Sequence, residues 1–91
     1  MSKEELQRLL EDYLEEKTKP STKILTTLDF NVNDLCDVLN ELHERYVFVY
    51  LSNDLVFIVS SSNNVVEVDL AKYEVLFKKF DDVKDIFRSY Y

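Results

Sequence analysis

The chain of 91 residues contains no glycine. At the usual ~7% a chain this long would hold about six. Glycine takes positive φ, or lets backbone approach a phosphate closely, without a steric cost. The P-loop, the dinucleotide-binding G-x-G-x-x-G and the G-x-S-x-G nucleophile elbow all depend on it. Nucleotide-cradling and elbow-type hydrolase chemistry are therefore excluded by composition alone.

What remains is a chain able to fold. Hydrophobic residues make up 46% and charged residues 32%, with six Phe and six Tyr as large core side chains. A disordered chain has too few apolar side chains to offset the entropy of ordering; this one does not. Its length suits one domain, although so small a domain buries only roughly 60–65% of the surface of its unfolded chain. The single cysteine, Cys36, allows neither an internal disulfide nor a four-thiolate zinc site. A small secreted domain would normally need such staples, so a reducing, cytoplasmic setting is expected. The opening Met1-Ser2-Lys3-Glu4-Glu5 lacks the basic start and apolar stretch of a secretory leader. The longest apolar run, residues 46–51, is far short of the ~20 needed to span a bilayer.

Ser2-x-x-Glu5 is a capping box, and Leu6, Leu9, Leu10, Tyr13 and Leu14 follow as one helical stripe. This predicts a helix over 3–17. Pro20 breaks it within a linker, residues 18–23, flanked and occupied by Lys17, Lys19 and Lys23. Residues 24–30 read as a strand. A second helix, 32–45, is capped by Asn31 or Asn33 and carries Leu35, Val38, Leu39 and Leu42. Residues 46–51 and 55–60 are β-branched or aromatic on both faces and read as the central strands, joined by a turn at Asn53-Asp54, residue types that tolerate left-handed backbone. Residues 65–69 alternate more cleanly, as a strand nearer the sheet edge does. A C-terminal helical segment, 70–90, places Leu70, Tyr73, Leu76, Phe77 and Phe80 on one stripe, either unbroken or restarting at Asp81-Asp82. The expectation is one α+β domain over 1–91, in the order α-β-α-β-β-β-α. Its sheet is mixed but mostly antiparallel, with the β-α-β step placing its strands parallel.

The charge is unevenly placed. Of the net −7, residues 1–28 contribute −1, 29–71 contribute −7 and 72–91 contribute +1. At ~100° per residue Asp34, Asp37, Glu41 and Glu44 fall within about 80° of each other, opposite the apolar stripe of the second helix. Such a row is either a solvated face that keeps the protein soluble or a docking ridge for a basic partner. Acids at this pitch can stand in for a nucleic-acid backbone. A straight ridge spreads its carboxylates, so it does not converge them on a divalent ion.

Other constellations are weaker. Cys36 and His43 are two helical turns apart, too far for a nucleophile–base pair; Cys36 reads as a small buried hydrophobe. Asp54 with Glu67-Val68-Asp69 resembles the acid and E-x-K arrangement of metal-dependent nucleases, but residue 69 is Asp where the lysine belongs. A helix-turn-helix needs two helices before the hairpin, and only one is available. Six of the twelve aromatics lie in residues 73–91. Of these Phe87, Tyr90 and Tyr91 are expected at a homodimer seam, since three terminal aromatics exposed together would be unusual on a soluble monomer.

These readings point to a non-enzymatic interaction protein, needing no cofactor and no metal. It would act as a regulator or inhibitor, occluding a basic, nucleic-acid-binding protein partner through Asp34, Asp37, Glu41 and Glu44. The rival is a direct nucleic-acid binder using the basic linker and Lys78, Lys79, Lys84 and Arg88.

Overall fold

A computed structural model describes residues 1–17 and 24–90. The linker 18–23, Tyr91 and the side chains of Ser89 and Tyr90 lie outside what is described. The elements are α1 (Lys3–Leu14), β1 (Ile24–Leu25), α2 (Val32–His43), β2 (Val47–Tyr50), β3 (Leu55–Val59), β4 (Asn64–Asp69), β5 (Glu74–Lys79) and α3 (Phe80–Tyr90). The class is α+β. Five strands form one sheet in the order β1-β5-β4-β3-β2, and every pairing is antiparallel.

Local chemistry sets the helix starts. Ser2 Oγ accepts the Glu5 N–H at 3.1 Å while Glu5 accepts the Ser2 N–H, the full capping box. Asn31 caps α2 by accepting from Asn33 N–H at 2.8 Å. At the other end of α1, Glu16 N–H bonds Tyr13 C=O and Lys17 N–H bonds Asp12 C=O. These are the two bonds of a Schellman stop, which requires left-handed backbone at the residue between them. With no glycine in the chain, Glu16 takes that role at φ 60°. A Cβ at positive φ is sterically costly. Glu16→Gly should therefore raise stability by about 0.5–1 kcal/mol, read as a higher urea midpoint at unchanged slope.

Each side of the sheet has its own core. Val56, Ile58, Val66, Val68, Val75 and Phe77 face α1 and α2, which add Leu6, Leu10, Leu14, Leu35, Val38 and Leu42, all buried. On the opposite side Phe57 and Val65 meet Val83 of α3, with Phe87 packed beside them. The Phe87 ring stands edge-on to Phe57 at 5.1 Å. We call these the inner and outer faces.

Several expectations are corrected. The segment expected as helix over 70–90 is helical only from Phe80. Before that, residues 70–73 turn, with Asp69 accepting from the Ala71 and Lys72 N–H groups rather than capping a helix. Then β5 pairs with both β4 and β1. Its ladder and the burial of Val75 and Phe77 outweigh the helical stripe. β4, expected near the edge, is the middle strand of the five, whereas β2 is an edge strand. Within the two strands expected to be central, Phe57 and Ile58 are fully buried, and Phe48 and Val49 only partly. β1 stops after Leu25, because Thr26 and Asp29 turn the chain by bonding each other's backbone. The helices end at Leu14 and His43, not at 17 and 45. Asn53 and Asp54 turn without positive φ. Among the described residues no parallel pair exists: β1 and β2 run in the same direction but at opposite edges.

Candidate functional site

The acids of α2 form an outward row. Asp37, Glu41 and Glu44 are exposed and Asp34 is half-buried at the first turn. Glu41 lies 3.5 Å from the Lys3 ammonium of α1, so an internal base reaches the row. Helix stability does not account for this arrangement. Asp37 and Glu41 are four residues apart, where like charges repel. Glu44 is the C-cap residue, at the end where a negative charge is disfavoured by roughly 0.3–1 kcal/mol. Only Asp34, at the N-terminal end, has a favourable place in the helix dipole. α1 lies beside α2, and the two helices with their caps (residues 2–17 and 31–45) carry ten acids against four Lys and Arg. The negative charge thus belongs to one layer of the molecule.

Where α1 ends and β2 begins, a second constellation appears that the sequence reading missed. Arg45 reaches Glu11 at 2.7 Å and Glu15 at 3.6 Å, and its guanidinium lies 5.5 Å from the Tyr46 ring centre. The Tyr46 hydroxyl donates to Glu15 at 3.0 Å. A groove of about 560 Å³ runs past Glu15, Arg45, Tyr46 and the Ser60–Ser62 turn. The available signal was Arg45 itself, the one Lys or Arg in residues 29–71.

Tyr46 makes this cluster titratable. Burial first, then donation to the Glu15 carboxylate, pushes its hydroxyl up to about 12. A raised pKa means that the folded state favours the neutral phenol, so the contribution is complete below the ordinary value near 10. It is lost as pH climbs through about 12. Glu15 is held below the usual carboxylate range, by Lys17 first and by Tyr46 second. Tyrosinate absorbance should show a late-titrating tyrosine, and alkaline destabilisation should set in between those two pH values. Tyr46→Phe should remove its share of the late component, leaving that of Tyr13, whose hydroxyl burial also raises. If Tyr46 titrates with the exposed tyrosines, the bond to Glu15 does not persist in solution.

Other sequence candidates do not assemble. Cys36 is exposed rather than buried, because its position on α2 falls outside the Leu35-Val38-Leu42 stripe. The His43 ring packs on Phe48 at 4.7 Å. Asp69 serves its own turn. Among the described residues no three His, Cys, Asp or Glu side chains gather closely enough to hold a metal ion. Lys79 donates to Asn64, while Lys84 and Arg88 lie near Asp81 and Asp85. No helix among the described residues is long and apolar enough to cross a membrane. Phe87 lines a groove of about 520 Å³ on the outer face, between α3, Val49, Val59 and the Ser60–Asn63 turn.

Comparison of the chain with protein-family models, curated proteins and solved structures finds no match.

Proposed function

We propose that this is a non-enzymatic interaction protein of the cytoplasm. In this reading the acidic layer of α1 and α2 docks and occludes a basic protein partner, of the kind whose basic surface holds nucleic acid. The carrying observation is the row Asp37, Glu41 and Glu44, held outward at some cost to its own helix and met, among the described residues, by a single lysine. Asp34 contributes at the row's half-buried end. The charge of the layer would steer a cationic surface during encounter. Self-association is part of the same proposal, with Phe87, Tyr90 and Tyr91 near the seam.

The test is the double reversal Asp37→Lys with Glu44→Lys. Both sites are exposed, so folding stability should change by under about 0.5 kcal/mol. The sign should be a gain, because a lysine at the helix C-terminus suits the dipole. Basic proteins captured by the full chain from its host, and released by salt, should be lost from the variant through a slower on-rate. Equal capture by the variant returns the row to a merely solvated surface. Retardation of DNA or RNA by the chain itself at low salt would favour the direct binder instead.

A further inference from the structure

We propose that the outer edge of β2 is a self-pairing seam, joining two copies of this chain into one continuous ten-stranded antiparallel sheet. The inference rests on the strand edge and is independent of the acidic layer. Among the described residues β2 is the last strand of the sheet and pairs on one side only, with β3. An edge strand presents unpaired N–H and C=O groups, and proteins usually guard such edges with lysine, proline, a bulge or a very short strand. The opposite edge, β1, is guarded in that last way, being two residues long. β2 has none of these devices. Its register with β3 is unbroken over Val47–Tyr50, and residues 46–53 carry no charge in a chain where 32% of residues do.

The hydrogen-bond phase of β2 identifies the partner. Leu51 N–H bonds Leu55 C=O, so by alternation Val47 and Val49 turn their backbone groups towards β3. Phe48 and Tyr50 turn theirs outward. A two-fold axis through Val49, normal to the sheet, sets Phe48 of one copy opposite Tyr50 of the other, twice. That register pairs all four outward N–H and C=O groups of each copy, leaving none over. It also sorts the side chains. Phe48 and Tyr50 share the inner face and meet as a cross-strand aromatic pair, while Val49 meets Val49 and Val47 meets Leu51 on the outer face. Tyr50 is 57% and Val47 63% exposed in the single chain, and the seam covers both. The outer-face grooves, each lined by Val49, Val59 and Phe87, become neighbours across the axis, which brings the two α3 helices to flank one joint surface.

Electrostatics gives this contact a signature. Two chains of net −7 repel, and Arg45, the one base beside the strand, is engaged by Glu11 and Glu15, so Glu44 and Asp54 leave the ends of the uncharged strand negative. Dimerisation should therefore strengthen with added salt, the reverse of a basic partner's behaviour.

Sedimentation of the full chain at tens of micromolar, with and without salt, gives the first test. A dimer favoured by salt is expected, weakened at least about tenfold by Val47→Lys with Tyr50→Lys, which sets charged side chains against Leu51 and Phe48 of the second copy and removes the aromatic pair. Leu28→Lys, at a residue 95% exposed and remote from β2, should leave it unchanged. Hydrogen exchange on the unmutated chain is the second test, and it holds even if the lysine variant folds poorly. The Phe48 and Tyr50 amides should gain protection as concentration rises, while those of Val47 and Val49 stay protected throughout. A monomer under all these conditions overturns the proposal. So does a dimer whose Phe48 and Tyr50 amides exchange as in the monomer, or one that resists the β2 lysines but is lost with Ile86→Lys on α3.

Discussion

Replacing Phe57 with alanine should destabilise the chain by about 3–5 kcal/mol, the usual range for deleting a fully buried phenyl ring. Phe57 is the largest side chain with no exposure and the centre of the outer-face core. Its neighbours cannot collapse into the vacated space. Val65 is fixed by pairing on both sides within the sheet, and Phe87 is carried on a helix whose grip on the sheet comes through Phe57 and Val83. A chain of this length has a total stability of roughly 5–14 kcal/mol, so this one residue represents at least about a fifth of it. The melting temperature should fall by roughly 15–30 °C. The loss should also be uneven. The α3 amides should lose protection first, because the inner core under α1 and α2 keeps all its members. A Phe57→Ala variant within about 1 kcal/mol of the parent would mean that α3 does not pack on this face in solution.

The inner core was readable from sequence because its pattern is local. The Ser2-x-x-Glu5 cap and the stripe of α1 lie within fifteen residues, as do the Asn31 cap and the stripe of α2, and each writes its own period. β5 was not readable that way. Residues 70–80 hold a helical stripe through Leu70, Tyr73, Leu76, Phe77 and Phe80, and a strand alternation through Val75 and Phe77. The decision is made by Val66 and Val68, which lie opposite Phe77 and Val75 in the ladder. No window along residues 70–80 contains that information. The placement of β2 fails for a related reason. An apolar strand reads as central when both faces are covered, but here the covering is partial and the apolar character sits at an edge.

The acidic row was legible for the same reason as the helices: pitch alone places Asp37, Glu41 and Glu44 on one side. The Lys3–Glu41 contact and the Arg45, Glu11, Glu15 and Tyr46 cluster join residues more than thirty positions apart, so they emerge only from the packing of α1 against α2 and the start of β2. Cys36 shows the limit of arguing from residue type. Cysteines are commonly buried, but the stripe of α2 leaves its position outside, and geometry decides.

The second large effect is expected at Asn64, the one buried polar or charged side chain described, at 4% exposure. A helix leaves its last carbonyls without partners, and here the turn after β3 supplies them. Asn64 Nδ2 donates to Tyr13 C=O at 2.7 Å, and the hydroxyls of Ser60 and Ser62 each lie 2.7 Å from Leu14 C=O. On its other side Asn64 Oδ1 accepts from the Lys79 ammonium, so one amide ties α1 to β4 and β5. Asn64→Ala leaves the Tyr13 carbonyl with the Glu16 N–H alone, cuts the tie between α1 and β4 and removes a partner from a lysine, and should cost about 2–4 kcal/mol in urea titrations. Asn64→Asp separates the two roles. It keeps an acceptor for Lys79 but turns a carboxylate oxygen towards the Tyr13 carbonyl, so it should remain destabilised even though a charge pair is gained. The serines behave differently, because Leu14 C=O has two donors and each hydroxyl only one proton. Ser60→Ala or Ser62→Ala alone should cost under about 1 kcal/mol, whereas the double substitution should exceed their sum. Additive serines, or an Asn64→Asp as stable as the parent, would mean that the α1 carbonyls are served by water and that this turn does not hold the helix.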